Sequence, residues 1–398
     1  MTVPVTAGGR AARLDAAIRI LGDLVGFNTV SDRSNLALVD YVEACLQSHG
    51  AQTWRLPSQD GRKANLVARL GPEVEGGLML SGHSDVVPVD GQAWSTPPFE
   101  LTRVNDRLFG RGSADMKGFV ACVLACLPEI AGRDLRRPVY LALSYDEELG
   151  CLGVHDIIAD LNRRAIRPDL CIVGEPTMME VGLAHKGNRT FRLTFTGQAA
   201  HSSRAPTAVN AVAYAAELVT SVTAAQADIA VRGPFMQGFD IEHTTVHVGV
   251  MRGGRQVNIV PDQCVVDMEF RFLPGDDPAA LTESLVMAEV RRLDRAMAAR
   301  RPGCGVTVEP VYAYPAFDME ADHPAVTMVK QCAGRNGDVK LSYGTEAGCF
   351  REAMNMPVIV CGPGDIRQAH QPDEFIAVGQ LEACGDFLID LVARTGNT

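Results

Sequence analysis

Apolar runs that end in small or polar residues recur through the first half of this chain. Asn65–Leu70, Leu78–Ser81, Val139–Ser144 and Leu170–Val173 are leucine- and valine-rich and have the length of buried strands. Between them, Met116–Ile130 and Gly153–Ala159 repeat apolar residues at helical spacing. Strand and helix signals in alternation predict βαβ units, hence an α/β domain with a mostly parallel sheet and helices on both faces.

The rhythm changes in the middle. Thr190–Thr196 alternates like a strand, Asn210–Thr223 is an alanine-rich helix, and His243–Val250 and Cys264–Phe272 are two more strands. Pro278–Ala299 reads as one long amphipathic helix and Val306–Tyr312 as a last strand. The order β-α-β-β-α-β predicts a small ferredoxin-like domain. After about Tyr314 the first rhythm returns, with a helix near Pro324–Arg335 and a strand at Val358–Val360. The expected layout is a discontinuous catalytic domain of residues 1–185 and 313–398, interrupted by an inserted domain of residues 186–312.

Composition narrows the function. A chain of 398 residues exceeds what one core usually serves, and 46% hydrophobic with 21% charged residues is ordinary for a globular protein. A net charge of −11 without any Lys/Arg run argues against nucleic acid. The longest apolar run, near Phe119–Leu127, is about half the roughly 20 residues a bilayer requires. The opening MTVPVTAGGRAARLD has no apolar leader region, so neither membrane nor export is expected. The 11 cysteines, odd in number and without a C-x-x-C pair, predict reduced thiols in a cytoplasmic protein.

Potential ligands follow the strands. Leu78–Ser81 leads into Gly82-His83-Ser-Asp85, Val139–Ser144 into Asp146-Glu147-Glu148, and Leu170–Val173 into Gly174-Glu175. Sites in open parallel sheets gather beyond the carboxyl ends of the strands. Asp115 stands just ahead of a helix, and His370 in a polar loop after the strand at Val358. Any one such residue is more often a cap or a surface charge; repetition at three strand ends is harder to dismiss. Two imidazoles and several carboxylates suit zinc, cobalt or manganese. The donors exceed the needs of one ion, so two ions sharing a carboxylate and a water are expected. Asp85 is placed to accept a hydrogen bond from the His83 nitrogen turned away from metal. Glu147 and Glu148 diverge on an extended segment, which lets one bind metal while the other serves as general base.

Six stretches carry a family resemblance: Ser81-Gly-His-Ser-Asp-Val-Val-Pro88, Gly110-Arg-Gly-Ser-Ala-Asp-Met-Lys-Gly118, Asp146-Glu-Glu-Leu-Gly150, Gly174-Glu-Pro-Thr177, Ala200-His-Ser202 and Ala369-His370. In this order, over nearly the whole chain, they resemble the zinc aminoacylase/carboxypeptidase family of peptidase clan M20, and within it the acetylornithine deacetylases. The resemblance implies that His83 and Glu175 bind one ion, that His370 and Glu148 bind the other, and that Asp115 bridges them. It implies Glu147 as general acid/base and a cis Asp115–Met116 peptide. It also implies that the inserted domain is a lid and a homodimer contact, with His201 reaching a partner's site to stabilise an oxyanion. Gly344-Thr-Glu-Ala-Gly348 resembles the deacetylase version of a loop, so Glu346 would help select a cationic amino acid. Asn258, Arg271 and the N–H groups of Gly362 and Gly364 are candidates for holding the substrate carboxylate.

The implied reaction is hydrolysis of N2-acetyl-L-ornithine to ornithine and acetate, a step of arginine biosynthesis. The alternative is succinyl-diaminopimelate desuccinylation, or another acyl-amino-acid hydrolase or carboxypeptidase activity of the same family. A Gly-x-Ser-x-Gly elbow and an early Gly-x-Gly-x-x-Gly are both missing, which disfavours a serine hydrolase and a dinucleotide enzyme.

Overall fold

The computed structural model describes residues 7–396. Residues 1–6, on which part of the leader expectation rests, lie outside the described residues. The chain divides into two compact units. One holds the chain up to Ala184, Phe317–Lys340 and the chain from Thr345 on; the other holds His185–Ala316 and Leu341–Gly344.

The first unit is built on a nine-stranded sheet. Its centre is four parallel strands in the spatial order Val139–Ser144, Leu78–His83, Leu170–Pro176 and Val358–Gly362. Every residue of these strands is buried, as expected for apolar runs covered on both faces. The parallel run stops there. Ala64–Leu70 joins the Val139 strand antiparallel, and Gln52–Pro57 joins Ala64–Leu70 antiparallel across a short turn rather than a helical crossover. On the opposite side Val360 pairs antiparallel with Gly182. The expected α/β class is thus borne out, with its parallel part confined to the centre.

Helices Ala7–Gly26, Lys117–Ala131 and Val378–Thr395 pack on one another as one layer, while Val154–Arg163 packs on Ala347–Met354. Lys117–Ala131 is buried nearly all round, which its apolar composition permits. It lies directly on the Glu175 strand because Gly174 has no side chain; a Cβ there would stand 2.1 Å from the Phe119 ring.

The second unit is a four-stranded antiparallel sheet in the order Thr245–Gly253, Gln263–Phe272, Gly187–Thr196 and Gly305–Tyr314. Ala211–Arg232 and Ala288–Arg300 pack on it over a core that includes Phe191, Phe195, Leu218, Phe270 and Leu293. The chain order of these elements is the expected β-α-β-β-α-β. The one long helix expected over Pro278–Ala299 runs without a gap from Pro278 to Arg300, with a π-type stretch at Glu283–Met287 inside it. Ser284 Oγ donates there to the carbonyls of Ala280 and Leu281, competing with the helical ladder. Among the described residues no helix is long and apolar enough to cross a membrane.

Candidate metal centre

Strand register brings the first ligands together. Leu78 pairs with Leu170 and Ser81 with Val173, so the same register two residues on sets His83 beside Glu175. On its other side His83 pairs with Ser144, just before the turn that carries Glu147 and Glu148. Both His83 and Glu175 lie within their strands rather than in the loops beyond.

His83 Nε2 is 3.2 Å from Asp115 Oδ1 and 3.7 Å from Glu175 Oε1. His370 Nε2 is 3.3 Å from Asp115 Oδ2 and 3.1 Å from Glu148 Oε2. Asp115 therefore turns one oxygen to each imidazole. Two groups result, His83–Asp115–Glu175 and Asp115–Glu148–His370, each with its ligand atoms within 4.8 Å of one another. Donors about 2.0–2.1 Å from a tetrahedral ion stand roughly 3.3 Å apart, close to these spacings. Glu147 belongs to neither group. The Asp115–Met116 peptide is cis. The two imidazoles differ in access: the His83 side chain is 1% exposed and that of His370 53%.

Charge points the same way. Burial pushes the carboxyls of Glu147 and Glu175 well above their ordinary values and that of Glu148 up to about 7, and Asp115 adds repulsion to each. Burial also opposes ionisation of Asp115, but hydrogen bonds to His370 and His83 hold it below the usual carboxylate range. Burial disfavours the His83 cation, yet Asp115, Asp85 and Glu175 outweigh it and raise the imidazole. Hydrogen bonds to Asp115 and Glu148 raise His370 to about 10. Carboxylates outnumber imidazoles in a poorly solvated space, a surplus that divalent cations would relieve.

Polar residues around the ligands fix their positions. Asp85 stands behind His83, whose Nδ1 lies 2.9 Å from the Asp85 main-chain oxygen and 3.6 Å from its carboxylate. The carbonyl therefore sets the tautomer. The carboxylate accepts instead the N–H groups of Glu147 (3.1 Å) and Glu148 (3.3 Å) and the Ser31 hydroxyl (2.7 Å). Asn65 staples the same turn, accepting from Tyr145 N at 3.0 Å and donating to the Gly153 carbonyl at 2.8 Å. Glu374 accepts from the backbone of Gly112, Ala114 and Asp115 and pairs with Arg111 at 2.8 Å. Gln92 donates to the His370 carbonyl at 3.0 Å and accepts from Arg111 at 2.6 Å. Of this shell, sequence reasoning singled out Asp85 alone.

The profile of Peptidase family M20/M25/M40 matches residues 79–394. The chain belongs to this family. It is 35% identical over 368 residues to an acetylornithine deacetylase of Proteus mirabilis, covering 91% of this chain and 90% of that one. Its fold is similar to that of an M20 metallo-carboxypeptidase of Sulfolobus solfataricus (TM-score 0.77, 18% identity, 96% and 99% of the two chains). A dinuclear metal-binding M20 peptidase of Bacillus subtilis is also similar in fold (TM-score 0.67, 13% identity, 98% and 99%). As an M20 member with these relatives, the chain is an amide-bond hydrolase.

The remaining residues expected of this M20 enzyme fall in different places. Glu346 is 1% exposed, so it is no surface charge; Ser81 Oγ donates to its Oε2 at 3.2 Å, and burial pushes its carboxyl up to about 7. Gly362 and Gly364 do not fit the role expected for them. The Gly362 N–H donates to Thr177 Oγ1 at 3.2 Å and the Gly364 N–H to Gln380 Oε1 at 3.2 Å, leaving neither for a substrate carboxylate. His201, Asn258 and Arg271 belong to the second unit. His201 Nδ1 accepts from Ser203 N at 3.2 Å and caps the turn Ser202–Thr207. Asn258 is exposed, and its carbonyl accepts from Ser202 N at 3.0 Å. Arg271 donates to Glu269 Oε1 at 3.0 Å and to the Tyr314 hydroxyl at 3.3 Å.

Proposed function

We propose that the chain is a two-metal deacetylase that hydrolyses N2-acetyl-L-ornithine to ornithine and acetate, a step of arginine biosynthesis. The observation that carries this reading is Asp115, one oxygen toward each of two His–carboxylate pairs, with Glu147 outside both. The substrate follows the relatives, named acetylornithine deacetylase at 33% and 35% identity over 91% of the chain.

His83, Asp115 and Glu175 would hold one ion and Asp115, Glu148 and His370 the other, zinc in first place and cobalt or manganese after it. Such ions polarise an amide carbonyl and make water a better nucleophile near neutral pH. The chain's own work is positioning and proton transfer. The Asp85 carbonyl orients His83, and its carboxylate holds the N–H groups of Glu147 and Glu148. A Glu147 carboxylate oxygen, outside both ligand groups, takes the proton of the attacking water and passes it to the leaving nitrogen. We assign the carboxylate of the amino acid to Asn258 and Arg271, selection of its cationic end to Glu346, and stabilisation of the oxyanion to His201 of a second copy.

The homodimer contact is assigned to the inserted unit, which exposes Met251, Val257 and Ile259. Free cysteines suit a reducing, cytoplasmic setting. Turnover of the zinc-loaded protein should be compared on N2-acetyl-L-ornithine, N-succinyl-diaminopimelate and dipeptides. We expect acetylornithine to give the highest kcat/KM; a preference for the succinyl compound or for peptides would replace this substrate with the alternative.

A further inference from the structure

Lys63 precedes the strand Ala64–Leu70 and lies outside the ligand groups. Its Nζ donates to Asp146 Oδ1 at 2.5 Å and to the main-chain oxygen of Ser31. The pair is largely enclosed, with side chains 16% and 13% exposed. Asp146 immediately precedes Glu147 and has φ 56°, a left-handed conformation uncommon for a residue with a side chain. Ser31 donates through its hydroxyl to Asp85 Oδ2 at 2.7 Å, and Asp85 receives the N–H groups of Glu147 and Glu148. Two routes thus run from one ammonium to one turn, the first through Asp146 and the second through Ser31 and Asp85.

We propose that Lys63 is a positioning residue for catalysis: by bonding Asp146 and the Ser31 carbonyl together, it fixes the turn that aims Glu147 and Glu148. The inference rests on the reading above of Glu147 as base and Glu148 as ligand. The physical need is clear. Local hydrogen bonds close the turn downstream, from Gly150 N and Cys151 N to the Glu147 carbonyl and from Leu152 N to that of Asp146. Asn65 holds Tyr145 and Gly153, the Cys151 thiol donates to Glu147 Oε1 at 3.4 Å and His370 lies 3.1 Å from Glu148 Oε2, so the backbone of Asp146, Glu147 and Glu148 between them is what the Asp85 and Lys63 contacts hold. Asp85 holds the N–H groups, and Lys63 holds Asp146 while bracing the segment that braces Asp85. Ser31 N donates to the Val86 carbonyl and Val86 N to that of Thr29, so this segment is bound to the Asp85 loop along its length. Without the ammonium, the Asp146 carboxylate would stand near Asp85 and Asp60 without its bonded cation.

The test compares wild type with Lys63→Met, Lys63→Arg and Asp146→Asn. Hydrogen exchange of residues 145–152 is followed in the metal-free proteins, and kcat and KM in the zinc-loaded ones. For Lys63→Met we expect faster exchange confined to 145–152 and kcat lower by roughly tenfold to a hundredfold, with KM within about threefold of wild type. Lys63→Arg should restore most of the loss, since it keeps a cation that can reach both acceptors. Asp146→Asn should repeat the local exchange change, and it decides the matter if Lys63→Met does not fold. Unchanged exchange at 145–152 with kcat near wild type would overturn the proposal. So would a uniform rise in exchange across the first unit, which marks a plain fold staple. If wild type hydrolyses no N-acyl amino acid, the functional reading fails, while exchange in the metal-free proteins still decides whether Lys63 holds the turn.

Discussion

Glu374 Oε1 accepts the backbone N–H of Asp115 at 3.1 Å, so the loop that supplies His370 also fixes the residue shared by both ligand groups. The other Glu374 oxygen takes the Gly112 N–H and the Arg111 guanidinium, and both side chains of this ion pair are 1% exposed. Replacing Glu374 by Gln would leave Arg111 charged and buried without its counter-ion, a defect worth roughly 3–5 kcal/mol. Glu374→Gln is expected to lower the urea midpoint of the metal-free protein and to weaken zinc binding; an unchanged midpoint would show that the pair is dispensable.

His370 should serve one ion and not the other. Metal analysis of His370→Ala is expected to find about one ion per chain where wild type holds about two, because His83, Asp115 and Glu175 remain a three-donor group. Equal loss of both ions, or of neither, would contradict the division of ligands proposed here.

Glu147 is expected to matter for turnover and not for metal. Glu147→Gln keeps size and polarity but cannot take up a proton, so kcat should fall by roughly 10²–10⁴-fold with zinc content unchanged. A variant with near-normal kcat would remove Glu147 from the mechanism.

Glu346 predicts a pH signature in the metal-free protein. Its carboxyl is raised by burial to about 7, against an ordinary 4.5. The folded chain therefore holds this proton where the unfolded chain releases it, and the group's contribution to stability falls as pH rises from 4.5 to about 7. Glu346→Gln lacks that titration. Its stability relative to wild type should improve across this window by roughly 3 kcal/mol in total and level off above it. Melting curves of both proteins across the same range check the sign; a constant difference would mean that Glu346 titrates normally.

The strand ends were readable because local patterning controls them. Leu78–Ser81, Val139–Ser144 and Leu170–Val173 are apolar in uninterrupted runs, and the first polar residue beyond such a run emerges at the sheet's carboxyl edge. The supporting residues leave no such trace. Glu374 meets Gly112 across 262 positions and Asn65 meets Gly153 across 88, and nothing near either residue in sequence announces its partner. The same limit explains Gly362 and Gly364: a glycine turn shows that N–H groups are exposed to something, but the takers, Thr177 and Gln380, were decided by packing. Asp85 could be placed beside His83 from their spacing, but sequence does not separate a carbonyl from its own carboxylate, and packing decides which oxygen faces the imidazole.

The unequal exposure of His83 and His370 would give a two-ion centre an order in time. An ion held by His370 would sit beside a half-exposed imidazole, whereas one held by His83 would sit beside a buried one. A chelator pulse should therefore pass through a half-stripped intermediate that keeps the inner ion, and the rate of that first loss would set how quickly activity follows a falling metal supply.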